Sequence, residues 1–171
     1  MNPAPRSTTT GLGLALPLAI LGIAACNALP SLAEAWRVDL YARGAAIAFA
    51  IWLIPSAWRI FQQRGFAKPC LVWLALALVL GTAGSMSDLR VLHHLALATA
   101  VAGAFGWRSP GLVLLVAAVT WLPATGWFLS HLMSGGLAGW ERPLGSTLLS
   151  ILLLAITLPS HTQLLPNPPK P

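Results

Sequence analysis

Residues Cys70 to Met86, "CLVWLALALVLGTAGSM", carry no charge and no regular alternation of polar with apolar positions. A transmembrane barrel strand would show that period-two alternation over about ten residues. This run is continuously apolar, bounded by Lys68-Pro69 before it and by Asp88 and Arg90 after it. It reads as a helix close to the length needed to cross a hydrocarbon layer about 30 Å thick.

Working outward, the same reading applies to Gly11 to Leu29, Gly44 to Phe61, Val91 to Gly106, Gly111 to Met133 and Leu144 to Leu158. The runs from Val91 and from Leu144 are short. They need local thinning, flanking help or a partly buried position, so the expected number of spans lies between four and six. The fold class expected is all-α: a polytopic integral membrane helix bundle of about six transmembrane helices, over residues 11–158. Residues 1–10, "MNPAPRSTTT", and the Pro-rich 159–171 read as disordered polar tails, because such segments cannot continue a helix or supply a core.

Composition agrees. Of 171 residues, 57% are hydrophobic and 8% charged, against about a quarter charged in soluble globular domains. Ten Lys and Arg with four Asp and Glu are too few to cover a soluble fold of this size, whereas lipid can solvate the Leu, Ala and Val excess. The net charge of +6 comes from basic residues placed singly along the chain, with no basic stripe, so nucleic acid is not an expected partner. The expected partners are membrane lipids and another membrane protein or a second copy of the chain. No cofactor and no metal site is expected.

Loop charges set the expected orientation. One group of loops holds Arg6, Arg59, Arg64, Lys68, Arg108 and Lys170, and the other Arg37, Arg43, Arg90 and Arg142. The bias puts both termini in the cytoplasm, as in a bacterial inner-membrane protein. It also puts Glu34, Asp39, Asp88 and Glu141 outside. Trp58, Trp73 and Trp107 then fall at the inner interface, Trp36, Trp127 and Trp140 near the outer one, and Trp52 and Trp121 deeper.

The candidate functional residues gather at one helix start, Ser87 to Leu97, "SDLRVLHHLAL". His93 and His94 are neighbours whose side chains diverge by about 100° on a helix, so at most one is expected to face the bundle. Arg90 and His94, four apart, share a face. In the plain structural reading Asp88 caps the helix, Arg90 reaches to headgroups and both histidines lie near the interface. In the functional reading the ionisable groups mark a site. His131, at the outer end of the fifth run, would approach His93 or His94 if the fourth and fifth helices pack antiparallel. Such a histidine pair is the donor set of a haem or a metal ion. Ile23-Ala24-Ala25-Cys26 has the form of a lipobox, which makes Cys26 a candidate for lipidation after signal cleavage, against the alternative of an uncleaved first helix. Cys70, Arg90 and His94 are the residue types of a thiol-based acyl transfer, but the six-span arrangement sets Cys70 at the opposite membrane face.

The segment "DLYARGAAIAFAIWLIPSAWRIFQQRG" and the later "AGAFGWRSPGLVLLVAAVTWLP" resemble the N-terminal half of the exosortase and archaeosortase family, polytopic membrane enzymes that process C-terminal sorting signals. In that family an outer segment often ending in Ser-His-Gly precedes an apolar helix, and a Gly-Trp-Arg turn precedes a later one. Here Gly44 is kept while Ala42 and Arg43 replace the Ser and His, and Gly106-Trp107-Arg108 matches the turn. The family's catalytic Cys, Arg and His lie in its C-terminal half, and neither Cys26 nor Cys70 has the Cys-Ser-Gly-like context. The resemblance therefore implies a truncated or accessory member without the chemistry. The expected function is that of a structural, assembly or accessory component; the alternative is a membrane-embedded enzyme or redox subunit using Arg90, His94 and His131.

Overall fold

A computed structural model describes residues 12–63, 68–108, 110–132 and 139–157. All regular structure among them is helical: α1 (Leu12–Val38), a 3-10 turn (Leu40–Ala42), α2 (Ala45–Gln63), α3 (Leu71–Ser87), α4 (Arg90–Ala104), α5 (Gly111–Ala118), a second 3-10 turn (Pro123–Thr125), α6 (Gly126–Leu132) and α7 (Glu141–Thr157). The two tails read from the sequence as disordered lie outside the described residues.

Two of the six apolar runs fold differently from their reading. The first does not stop at Leu29: α1 continues through Pro30 to Val38, because a proline removes one hydrogen bond without obliging the helix to end. The fifth is not one helix. It breaks after Ala118 into a 3-10 turn and the short α6. The cause is local. Pro123 disfavours the helical region for Leu122, whose ψ is 128°, and it has no N–H with which to carry a ladder across the gap.

The short fourth run has a physical explanation. Every residue of α4 from Ala96 to Ala104 is buried, so the helix has protein on all sides. Its sequence there, "ALATAVAGA", is made mostly of small residues that let α1, α3 and α5 approach closely. α4 is the central helix; α2 and α7 pack as a second pair against α5.

The turn after α4 closes on its own backbone. Gly106 takes the left-handed conformation at φ 68°, its N–H donates to the Gly103 carbonyl at 3.2 Å, and the Trp107 N–H donates to the Ala102 carbonyl at 2.9 Å. This is the Schellman geometry that ends a helix by satisfying its last carbonyls, and only glycine adopts that φ without strain. The turn drives Trp107 inward. Its indole is fully buried and donates to the Ser56 hydroxyl at 3.3 Å, so Trp107 is a core residue and not the interfacial one expected. Trp52 and Trp121 are buried too, in an aromatic cluster with Phe49 and Trp36. Trp58 and Trp140 are exposed.

Candidate functional site

The "SDLRVLHH" cluster is taken apart by the fold. Asp88 does not cap α4. It ends α3 in the left-handed conformation at φ 55°, and the residue at the start of α4 is Leu89, which has no capping side chain. The capping aspartate is Asp39, whose carboxylate accepts from the Tyr41 N–H at 2.9 Å and starts the first 3-10 turn. Arg90 faces the carboxylate of Glu34 on α1 at 3.5 Å. Both side chains are well exposed, so the pair contributes little to stability.

The histidines diverge as helix geometry demands, yet both meet protein because α4 is central. His94 is 4% exposed and its Nε2 lies 2.8 Å from the Ser31 hydroxyl of α1. Ser31 also donates to the Ala28 carbonyl of its own helix at 3.0 Å. His93 turns the other way and lays its ring against Gly84 of α3, where an added Cβ would stand 3.1 to 3.2 Å from the ring atoms. The Nδ1 atoms of both rings are buried without a hydrogen-bond partner among the described residues.

His131 sits on α6, exposed, with its ring centroid 6.5 Å from that of Tyr41. Cys26 is exposed midway along the unbroken α1, and its thiol is free. Cys70 starts α3 and its N–H donates to the Gly103 carbonyl at 2.9 Å, at the far end of α4 from the histidines. Nine residues of α4 separate Gly103 from His94, about 14 Å along the axis, so Cys70, Arg90 and His94 do not meet. No group of three or more His, Cys, Asp or Glu among the described residues is placed to hold a metal ion.

The polar site that does assemble was not among the sequence candidates. Three residues of α7 spaced four apart, Arg142, Ser146 and Ser150, lie on one face and are 1%, 1% and 5% exposed. Four-residue spacing puts side chains one above another on a helix. Each meets backbone or hydroxyl groups of another element. Arg142 donates to the carbonyls of Thr120 at 3.1 Å, Leu122 at 3.3 Å and Tyr41 at 2.7 Å. Ser146 hydrogen-bonds the Thr120 hydroxyl. Ser150 donates to the Ile51 carbonyl at 3.1 Å.

The acceptors follow from the prolines. Pro55 interrupts α2 and has no N–H for the carbonyl four residues back, which is Ile51. The break around Pro123 likewise leaves the carbonyls of Val119 to Trp121 outside any regular ladder, and the Leu122 carbonyl with only the Thr125 N–H at 3.3 Å from the backbone. All four are reached: Val119 by the Thr125 hydroxyl at 2.6 Å, Thr120 and Leu122 by Arg142, and Trp121 by the Trp36 indole at 3.4 Å. A buried carbonyl without a donor costs about 1 to 3 kcal/mol, so this accounting is what makes a broken helix tolerable in an interior. Arg142 suits the task because its planar guanidinium carries five donors and keeps its charge in proteins. The space is tight: a Cβ on Gly126 would collide with the Arg142 guanidinium and would come within 2.5 Å of the Tyr41 carbonyl oxygen.

Chemically, this arrangement holds helices together; its side chains are engaged on backbone carbonyls and on the Thr120 hydroxyl. The sequence signal was present in the four-residue spacing of Arg142, Ser146 and Ser150 within an apolar run, and in the prolines of the second and fifth runs.

No protein-family model matches the chain, and no curated protein or solved structure matches it either.

Proposed function

We propose that the chain is a multi-pass membrane protein of about six spans, the fifth crossing being the broken α5–α6 segment. It is a bacterial inner-membrane component with both termini on the cytoplasmic side. It acts as a structural, assembly or accessory element, laying its outward helix faces against another membrane protein or a second copy of itself. The observation that carries this reading is that α7 is inside out. Its polar residues Arg142, Ser146 and Ser150 are buried, while Leu144, Leu148, Ile151 and Ile156 are 48%, 69%, 59% and 52% exposed. A helix on a soluble domain places its apolar stripe inward. Hydrocarbon favours the reverse, since every polar backbone group within it needs an internal partner.

The longest helices add support. Ala15–Val38 and Leu40–Arg59 are long and apolar enough to cross a membrane, yet only 28% and 33% of their most apolar windows are buried. Core helices of comparable hydropathy would be mostly covered. The kinship with exosortases remains part of the proposal: the Gly106-Trp107 turn has a structural use at the end of α4, which fits a scaffold kept without the family's chemistry.

Isolation of the chain in native nanodiscs at its native abundance tests the role. A stoichiometric partner membrane protein or a defined homo-oligomer is expected. A monomer with no companion overturns it.

A second reading, the membrane-embedded enzyme or redox subunit, draws on one contact. A hydroxyl and an imidazole within hydrogen-bond reach, as in Ser31 and His94, become the first two parts of an activated nucleophile once the Ser31 proton turns from the Ala28 carbonyl to His94 Nε2. On that reading Arg90, His94 and His131 serve an outer-side site. Normal insertion with undiminished cellular function in Arg90→Ala and His94→Ala variants, together with no Soret band and no bound metal in the purified protein, removes it.

A further inference from the structure

Resting on the membrane reading, we propose that the cleft enclosed by α1, α3 and α4 is a lipid site. It takes one hydrocarbon chain of a neutral-headed membrane lipid, with the hydroxyl or ester carbonyl of the head beside Asn27 and His93.

The cleft has a volume of about 380 Å³. That lies near the lower end of ligand pockets, enough for one chain and too small for a pair. Its polarity changes along its length. At one end the walls are Ile20, Ala24, Ala77 and Ala96, all buried and apolar. At the other, beside the α3–α4 connection, stand Asn27, Thr82, Ser85 and His93. The distance from Ile20 to Asn27 is seven residues of α1, about 10 Å along the axis. A lipid has the same gradient, with its head at the membrane edge and its chain toward the midplane.

The polar end also indicates the head. The Asn27 side chain is exposed midway along α1 and its amide makes no hydrogen bond among the described residues. An unpaired amide near the edge of the hydrocarbon layer still favours a polar neighbour, so this position suits a polar group from outside the chain. Thr82 and Ser85 direct their protons to carbonyls of their own helix, at Leu78 and Gly81, and present only acceptor lone pairs to the cleft. None of the described lining residues is charged. A phosphate head would find no cation there, whereas a hydroxyl or ester finds donors and acceptors. A helix from another protein fits less well. The cleft runs about two helical turns, and a transmembrane helix pair needs a seam along most of the span.

The test uses a monoacylglycerol with a photoreactive group midway along its chain, added to the full-length protein in nanodiscs, with labelled positions mapped by mass spectrometry. Labelling is expected to concentrate at Ile23 and Leu78 over the outward face of α7 at Leu148. Gly81→Phe fills the cleft from a position where a new Cβ meets only the Ala96 methyl at 3.9 Å, and it should cut labelling several-fold at Ile23 and Leu78 alone. Asn27→Leu leaves the cleft open and should weaken labelling by removing the head contact. Even labelling of Ile23 and Leu148, or labelling indifferent to both variants, overturns the proposal. So does equal labelling by a lysophosphatidic acid probe of the same chain. Rapid disulfide formation between copies carrying Ile23→Cys would mean that a second chain fills the cleft. Labelling reports occupancy whether or not a protein partner is found. Its failure in a protein whose α7 face is shown to contact lipid therefore counts against the site and leaves the multi-pass reading standing.

Discussion

The Ser150 hydroxyl donates at 3.1 Å to the carbonyl of Ile51, the group that Pro55 deprives of its helical partner. A proline in one helix and a serine in another thus form a matched pair across the α2–α7 contact. The match makes a coupled prediction. Ser150→Ala leaves the Ile51 carbonyl bare and should cost about 1 to 3 kcal/mol in a reversible unfolding assay. Pro55→Ala restores an N–H to that carbonyl, so in its background Ser150→Ala should cost several-fold less. Equal costs in both backgrounds would show that Ser150 acts by packing alone.

Arg142 should be the most sensitive polar position. Its guanidinium serves carbonyls on Thr120, Leu122 and Tyr41, and a single ammonium cannot replace it with the same reach. Arg142→Gln is expected to cost about 3 kcal/mol or more, chiefly from the Thr120 and Tyr41 carbonyls left without donors, since Leu122 keeps the Thr125 N–H. Arg142→Lys should recover only part of that loss. Amide exchange at Thr120 to Thr125 should rise in both variants, since the broken segment is held by the side chain. Full stability in the lysine variant would contradict the account.

Two helical glycines should respond oppositely to alanine. Gly22 has open space around it, so Gly22→Ala should be neutral or stabilise by up to about 1 kcal/mol through helix propensity. A Cβ on Gly103 would come within 2.9 Å of the Leu74 backbone nitrogen, which cannot move aside as a side-chain tip can. Gly103→Ala should separate α3 from α4 and lower the thermal midpoint measurably. The reverse order of the two variants would mean that α3 and α4 are not in close contact.

Much of this architecture was legible in the sequence because apolar runs report helices directly. The starts of α2, α3 and α4 fall within a residue or so of the charges, glycines and prolines that bound them. The split of the fifth run was signalled by Pro123, but an apolar run of suitable length outweighed one proline. That α4 is central could not be read, since a helix buried in protein and one bathed in lipid show the same composition. The site was less legible. Asp88, Arg90, His93 and His94 drew attention as ionisable groups, and only His94 is both buried and hydrogen-bonded to another helix. Ser31 is not legible, because one serine in an apolar stretch has no pattern. Arg142 has the sequence signature of a loop charge, because its acceptors are carbonyls in turns elsewhere in the chain, and no local spacing records that pairing.

The central claim is that α7 turns polar residues inward and apolar ones toward lipid. A spin label at Leu148 in the protein reconstituted into bilayers tests it most directly, by comparing relaxation by oxygen with relaxation by a water-soluble nickel complex. Leu148 is 69% exposed in the fold, so the label has free surroundings of one kind or the other. High oxygen accessibility with little effect of nickel is the result predicted. Strong relaxation by nickel would place that face in water and contradict the account.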